Sequence, residues 1–165
     1  MSCYVVDANV PIVANGRSEQ ADADCVISCI EALQSIYGTG TVLLDDAMLI
    51  LSEYMGNLSM SGQPGPGDAF MKWVWQVQAN EQFCRQEHIS PAGNDANTFE
   101  EFPDDPRLKS FDPSDRKYVA VALASGSAPE LLNAVDPDWS EHFEPLRDAG
   151  VKIKFLCPQH VCPRS

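Results

Sequence analysis

Short apolar runs alternate along this chain with longer stretches in which apolar residues recur at helical spacing. The runs predict strands at 4–6, 42–44, 131–135 and 151–156. The longer stretches predict helices at about 22–37, 45–55, 68–77, 112–124 and 139–149. Strands that alternate with helices predict an α/β fold, a three-layer sandwich around a central, mostly parallel sheet. Lysines alternate with apolar residues in the last strand, which predicts an edge strand with one wet face.

The periodic pattern disappears between about 86 and 111, where Pro, Asn, Asp and Gly recur. A loop of this length inside a compact domain is usually functional or mobile. The length of 165 residues favours one domain. We therefore expect a single domain over 1–158 with an inserted loop at about 86–111, and a C-terminal tail over 159–165. Cys157, His160 and Cys162 are ligand types for zinc, but a closed site needs four ligands at recognised spacings, which favours a free tail.

Three aspartates lie where this fold brings carboxyl groups together. Asp7 directly follows the first strand, Asp136 follows the strand at 131–135, and Asp115 opens a helix. Ligands of parallel α/β sheets bind outside the carboxyl ends of the strands, so these groups are expected to converge. Converging carboxylates repel one another, and Mg²⁺ or Mn²⁺, which prefer oxygen ligands, relieve that repulsion. The alternative for Asp7 is a turn or cap, and Asn9 either orients Asp7 or caps the next turn.

Helix capping competes with metal binding at two of these positions. Asp112 precedes a proline and has the pattern of a helix cap, which leaves Asp115 as the candidate ligand. Asp138 has a glutamate three residues later, the pattern of a capping box, which leaves Asp136 for metal binding. A fourth acid, Glu53, stands in mid-helix above an apolar stripe, and its spacing alone favours an ordinary glutamate at a helix boundary.

The net charge of -13 argues against a protein that coats nucleic acid, because such proteins show a basic footprint. It does not exclude an enzyme that acts on nucleic acid, because a bound metal masks its own acidic ligands. No apolar run approaches the roughly 20 residues that span a bilayer, and no basic leader precedes the first strand. We therefore expect a cytoplasmic protein without membrane contact, with its six cysteines reduced. The three histidines share no motif, and no Ser–His–acid order is apparent.

The acidic positions together resemble those of a PIN domain. That family has a strand-ending Asp near the N-terminus, a helical Glu, an Asp that opens a helix of small residues, and a strand-ending Asp before an aromatic residue. Asp7, Glu53, Asp115 and Asp136 occupy these places here, with Trp139 as the aromatic residue. The match covers most of the chain outside about 59–111, and it rests on order and spacing rather than on one specific motif.

The resemblance implies a metal-dependent nuclease, most often an endoribonuclease of the kind found as the toxin of a bacterial toxin–antitoxin pair. It implies that the four acids hold Mg²⁺ or Mn²⁺, and that the RNA ends left by the cut are a 5′-phosphate and a 3′-hydroxyl. Supporting or alternate ligands would be Asn9, Asp112 and Asp138. The implied partners are RNA, an inhibitory antitoxin protein and a second copy of the chain in a homodimer. The long insertion departs from the compact pattern of the toxins.

Four basic residues lie near Asp115 in sequence and offer contacts to an RNA backbone: Arg107, Lys109, Arg116 and Lys117. The alternative for them is a solvated helix face and loop. Two other functions compete with the nuclease. One is a PIN-like interaction module whose acids serve only as caps. The other is a haloacid dehalogenase-type phosphatase, which needs a second Asp two residues after the first, where this chain has Asn9.

Overall fold

A computed structural model describes residues 2–94 and 97–161. Its centre is a sheet of five parallel strands in the order β3-β2-β1-β4-β5. The strands are β1 (Ser2–Val6), β2 (Gly40–Asp45), β3 (Cys84–Glu87), β4 (Glu130–Asn133) and β5 (Lys152–Phe155). Helices flank the sheet, so the predicted α/β sandwich with a parallel sheet is confirmed. The lysine-bearing strand β5 forms one edge of the sheet, and Lys152 and Lys154 are exposed, as predicted.

Most of the helices lie in the stretches with helical spacing, and an aspartate marks the start of several. They are α1 (Asn9–Ala14), α2 (Ala23–Ile36), α3 (Leu49–Asn57), α4 (Pro66–Val77), α5 (Arg116–Ala124), α6 (Pro137–Glu141), α7 (Phe143–Asp148) and α8 (Pro158–Val161). Short 3-10 turns precede α5, at Pro106–Leu108 and Pro113–Asp115. The Asp22 carboxylate accepts a hydrogen bond from the Cys25 N–H at the start of α2. Such bonds satisfy N–H groups that have no partner inside the helix.

The order of the strands fixes where a ligand can bind. The chain builds the sheet outward from β1 through β2 to β3, and then returns to add β4 and β5 on the other side of β1. The carboxyl ends of β1 and β4 therefore flank the point at which the direction of building reverses. In parallel α/β sheets this switch point opens a crevice that holds the ligand. Residues that directly follow β1 and β4 reach this crevice.

Helices α1 and α8 were not predicted, and two other elements differ from the prediction for local reasons. Strand β3 is missing from the predicted strands, because Cys84 is its only apolar residue and an edge strand needs little apolar surface. The single helix predicted at 139–149 is two short helices, α6 and α7, that meet at His142. Pro145 explains the break, because it has no N–H to donate to the carbonyl four residues earlier.

The described residues of the inserted segment 86–111 pack against the rest of the domain. Its residues Pro91 and Phe99 pair in an antiparallel bridge, and Ile89, Leu108 and Phe111 are buried. Residues 159–161 of the predicted tail belong to α8, and Val161 is buried, while 162–165 lie outside the described residues. Among the residues that the structure describes, no helix is long and apolar enough to cross a bilayer.

The prediction that all six cysteines are reduced is wrong for one pair. Cys25 of α2 and Cys157, which follows β5, form a disulfide, and their Cα atoms lie 5.2 Å apart. Cys29, one turn further along α2, is a free and fully buried thiol beside this bond. Packing of α2 against the C-terminal segment brings together residues that are 132 positions apart in sequence.

Candidate metal centre

The carboxyl groups of Asp7, Asp115 and Asp136 meet in the crevice between β1 and β4, with one oxygen of each within 4.8 Å of the others. Asp7 follows β1, Asp115 ends the 3-10 turn before α5, and Asp136 precedes α6. Only 4% of Asp7 and 6% of Asp115 is exposed to solvent. The structure therefore brings together three of the four acids that the PIN resemblance implies.

Asp7 is held rigidly by hydrogen bonds to both carboxylate oxygens. Its Oδ1 accepts from the Asn9 N–H at 3.0 Å, and its Oδ2 accepts from the Trp139 indole N–H at 2.8 Å. The main chain on either side is fixed by two tyrosines: the Tyr54 hydroxyl donates to the Val6 carbonyl, and the Tyr118 hydroxyl accepts from the Ala8 N–H. Buried, fully bonded side chains hold a functional group with little freedom to rotate.

A network of amide side chains fixes Asp136 relative to β1. The Asn9 amide donates to the Asn133 side chain at 2.8 Å and accepts from the Ala134 N–H at 2.8 Å. The Asn133 amide in turn donates to the Asp136 carbonyl at 3.1 Å. Asn9 therefore joins β1 to β4 with its side chain, and it orients Asp7 only through its main-chain N–H.

The assignment of caps in the segment 136–138 is reversed. Asp136 is the N-cap of α6 and accepts from the Asp138 N–H at 3.0 Å, while Asp138 lies in the first turn and makes no capping box with Glu141. Pro137 is the reason, because proline favours the first position of a helix and makes the preceding residue the cap. Asp136 thus combines a capping role with its place in the carboxylate cluster. By contrast, Asp112 caps its own turn by accepting from the Ser114 N–H, as predicted.

Asp138 connects the inserted segment to α6 and α7. Its carboxylate accepts from the Asp112 N–H at 2.8 Å and lies 3.1 Å from the Nδ1 atom of His142. The Nε2 atom of His142 lies 3.0 Å from the Ser110 hydroxyl. This Ser–His–Asp order, which sequence analysis did not find, occurs in serine hydrolases. Here Nδ1 lies closer to the main-chain oxygen of Asp138, at 2.9 Å, so the chain of contacts ties the loop to the helix.

Glu53 lies beside the cluster and has partners of its own. Its carboxylate accepts a short hydrogen bond from the Tyr118 hydroxyl and lies 3.5 Å from the Lys117 ammonium. Lys117 is buried and also donates to the Ser114 carbonyl. The burial of Tyr118, followed by the charge of Asp7, raises the pKa of this hydroxyl well above its usual range, so it remains a donor. Tyr118 thus links Glu53 to Ala8, the residue after Asp7, and no sequence pattern indicated this link.

The electrostatics of the three aspartates are those of acids crowded without a counter-ion. Burial, together with the negative charges of Asp7 and Asp136, raises the pKa of Asp115 to about 10. Burial also raises the pKa of Asp7 to about 7, although its hydrogen bonds from Asn9 and Trp139 act in the opposite direction. The ion pairs found within 2–94 and 97–161 include none with these three residues.

This donor set fits a divalent cation. It offers only carboxylate oxygens, which Mg²⁺ and Mn²⁺ prefer, and the cation would supply the positive charge that the described protein groups do not. Without it, Asp115 keeps its proton to avoid three like charges in one buried space. Asp7, Asp115 and Asp136 are the residues that would hold the ion.

The four basic residues expected near the RNA backbone have different environments. Arg107 pairs with Asp105 and Asp148, and Lys117 pairs with Glu53. The Arg116 guanidinium donates to main-chain carbonyls and lies 5.1 Å from the centre of the Phe102 ring. Within the described ranges, Lys109 makes no ion pair. Lys109, Arg116 and Phe102 line a cavity of about 360 Å³.

No local pattern in the sequence indicates the groups that position the acids, namely Tyr54, Tyr118, Asn133 and the indole N–H of Trp139. The PIN resemblance placed an aromatic residue three positions after Asp136, at Trp139. It gave no function for that residue. Comparison of the chain with protein-family models, with curated proteins and with solved structures found no match.

Proposed function

We propose that this chain is a metal-dependent endoribonuclease that hydrolyses RNA phosphodiester bonds at the Asp7–Asp115–Asp136 centre. The observation that carries the proposal is the convergence of three carboxylates, two of them almost completely buried, at the switch point of a parallel sheet. Burial of unpaired like charges is costly, so such a cluster is expected only where a cation or a proton compensates it. Mg²⁺ or Mn²⁺ is the compensating ion in this proposal.

Each residue of the centre has a separate task. Asp7 presents a carboxylate fixed by the Trp139 indole, and Asp115 and Asp136 present theirs from the other two sides of the crevice. A metal held by Asp7, Asp115 and Asp136 would supply Lewis-acid chemistry, namely polarisation of a scissile phosphate and a lowered pKa of a water for attack on it. We assign Glu53 a positioning role, because it holds Tyr118, whose hydroxyl accepts from the N–H next to Asp7.

The surface beside Asp115 offers groups that can hold a nucleic-acid strand, although three acids, Glu100, Asp104 and Asp105, also line its cavity. Lys109 is exposed and can neutralise a phosphate, and the Phe102 ring with Arg116 against it forms a wall of the adjacent cavity. In proteins that bind single-stranded nucleic acids, bases stack on aromatic rings and cations hold the phosphate backbone. The choice of RNA over DNA rests on the resemblance to PIN domains, as does an antitoxin partner.

The competing functions predict different behaviour. A haloacid dehalogenase-type phosphatase needs an acid–base carboxylate two residues after Asp7, and the Asn9 side chain there is committed to Asn133 and Ala134. An interaction module whose acids serve only as caps need not bind a metal. Asp7 and Asp136 each accept from the N–H two residues further on, at the starts of α1 and α6, but the buried Asp115 makes no capping bond, which disfavours that explanation.

The test is RNA cleavage by the purified chain, with a pair of matched variants. Structured and single-stranded RNA should be cut in the presence of Mg²⁺ or Mn²⁺, and EDTA should stop the reaction. Asp7→Asn should abolish cleavage, because it removes a charged ligand and keeps the shape of the side chain. Asp112→Asn is the control, since Asp112 is an exposed cap and Asn caps a helix about equally well.

Cleavage by Asp7→Asn at the rate of the wild type would refute the proposal. Binding of Mn²⁺ at the centre without cleavage of any RNA would refute the nuclease activity and leave a metal site of another kind. No Mn²⁺ binding at all would favour the interaction module.

A further inference from the structure

A separate cluster of potential ligands, away from the three aspartates, consists of sulfur atoms. Cys25 and Cys29 lie one turn apart on the same face of α2, and Cys157 follows β5. The three sulfur atoms lie within 4.8 Å of one another, and all three residues are completely buried. The proposed nuclease makes no use of them.

We propose that Cys25, Cys29, Cys157 and His160 form a structural zinc site when the Cys25–Cys157 disulfide is reduced. Zinc binds tetrahedrally to thiolates at about 2.3 Å, which places its sulfur ligands about 3.8 Å apart. The three sulfur atoms are grouped at that scale, and two of them become available as thiols when the disulfide is reduced. Three thiolates and one imidazole are a common set of ligands for structural zinc.

We assign His160 as the fourth ligand from its position in the chain and its neighbouring carboxylate, although its ring nitrogens do not lie within 4.8 Å of all three sulfur atoms. It lies three residues after Cys157 in α8, so both side chains project from the same turn. Its Nε2 atom lies 3.4 Å from the Oδ1 atom of Asp22, the oxygen that also accepts from the Cys25 N–H. A carboxylate accepts the Nε2 proton and leaves Nδ1 with the free electron pair that binds a metal. Histidines that bind zinc almost always donate their other N–H in this way.

The same sulfur atoms cannot be in a disulfide and bind zinc at once. Reduction of the Cys25–Cys157 bond by a dithiol consumes two electrons and two protons and yields two thiols, while the dithiol becomes a disulfide. Zinc then displaces the protons of three thiols, those of Cys25, Cys29 and Cys157. Oxidation runs the exchange in reverse and releases the ion. In either state α2 stays joined to the segment that carries α8.

Cobalt substitution tests the proposal, because Co²⁺ bound to thiolates absorbs strongly through sulfur-to-metal charge transfer. The full chain is reduced with a phosphine, freed of metal by a chelator, and titrated with Co²⁺ and then with Zn²⁺. We expect a thiolate charge-transfer band that saturates at a single equivalent and that Zn²⁺ removes. The oxidised chain, with its disulfide intact, should give no such band, and this comparison requires no variant.

Variants assign the ligands. Cys29→Ser should weaken cobalt binding by at least about tenfold, the lower limit for loss of a supporting group around a metal. Cys84→Ser is its control, since Cys84 is an equally buried thiol on β3 outside the cluster. Asp7→Asn should leave the band unchanged, because carboxylates give no thiolate absorption. His160→Ala should also weaken binding.

Absence of the band in reduced protein with titratable thiols would overturn the zinc site. So would a band of full strength in Cys29→Ser, or one of equal strength in the oxidised chain. Full binding by His160→Ala would overturn the assignment of the fourth ligand. If Cys162→Ser alone then abolished binding, the fourth ligand would be Cys162, which lies outside the described residues.

Discussion

Replacement of Asp115 by Asn should stabilise the metal-free protein at neutral pH. Asp115 is 6% exposed, and its carboxyl group faces Asp7 and Asp136. In the unfolded chain this carboxyl group ionises at its ordinary pKa of 3.8, whereas in the folded protein burial, with the neighbouring charges, raises the pKa to about 10. Asn has a similar shape and no charge, and its amide can donate to the Asp136 carboxylate.

The direction and size of the effect follow from proton binding. Between pH 3.8 and about 10 the folded state holds a proton on Asp115 that the unfolded state has lost, so the free energy of unfolding falls as pH rises. Each pKa unit corresponds to about 1.4 kcal/mol, so the penalty at neutral pH is on the order of 4 kcal/mol. Asp115→Asn removes that penalty, and its advantage should shrink towards zero near pH 4.

Urea unfolding in EDTA, followed by tryptophan fluorescence at about pH 5 and about pH 8, measures the difference in the free energy of unfolding and its dependence on pH. We expect Asp115→Asn to exceed the wild type by a few kcal/mol at the higher pH and by much less at the lower pH. Asp112→Asn, three residues away and exposed, should stay within about 0.5 kcal/mol of the wild type at both.

Addition of Mn²⁺ should narrow the difference in stability between the variant and the wild type. A metal at about 100 times its dissociation constant stabilises the folded state by roughly 2.7 kcal/mol, and Asp115→Asn should gain less than the wild type. Equal stability of the two proteins at the higher pH, with the same dependence on pH, would refute the argument that Asp115 is a crowded and uncompensated acid. An equal gain from Mn²⁺ would place the metal elsewhere.

Three further predictions concern the surroundings of the centre and the thiols. Trp139→Phe removes the indole N–H that Asp7 accepts, so the Asp7 pKa should rise further and Mn²⁺ binding should weaken, more at lower pH than at higher pH in calorimetric titrations. Asp138→Ala removes the link between the inserted segment and α6 and should cost about 1–3 kcal/mol in urea unfolding while RNA cleavage persists; a dead but stable variant would make Asp138 a ligand. In native protein without reductant, Ellman's reagent should modify the half-exposed Cys3 and spare Cys84, where burial raises the pKa to about 11; rapid modification of Cys84 would contradict its burial.

Much of the fold was predictable, because its signals are local. Four of the five strands are apolar runs or alternate in the chain, and the expected helices lie between them. The fifth strand, β3, was not predicted, because its place in the sheet depends on its pairing with β2. The break at His142 and the cap at Asp136 have local causes, Pro145 and Pro137, that the helical spacing around them obscured.

The sequence by itself predicted that Asp7 and Asp136 lie close together, since they follow strands whose ends meet at one edge of a parallel sheet. Only the tertiary structure decided how they are held. The Trp139 indole reaches Asp7 from 132 positions away, and Tyr118 reaches Glu53 from 65 positions away. The disulfide partners Cys25 and Cys157 are 132 positions apart in sequence. Local spacing fixes which face of an element a side chain occupies, but its partner across the fold depends on how distant elements pack, and no pattern within one element encodes that.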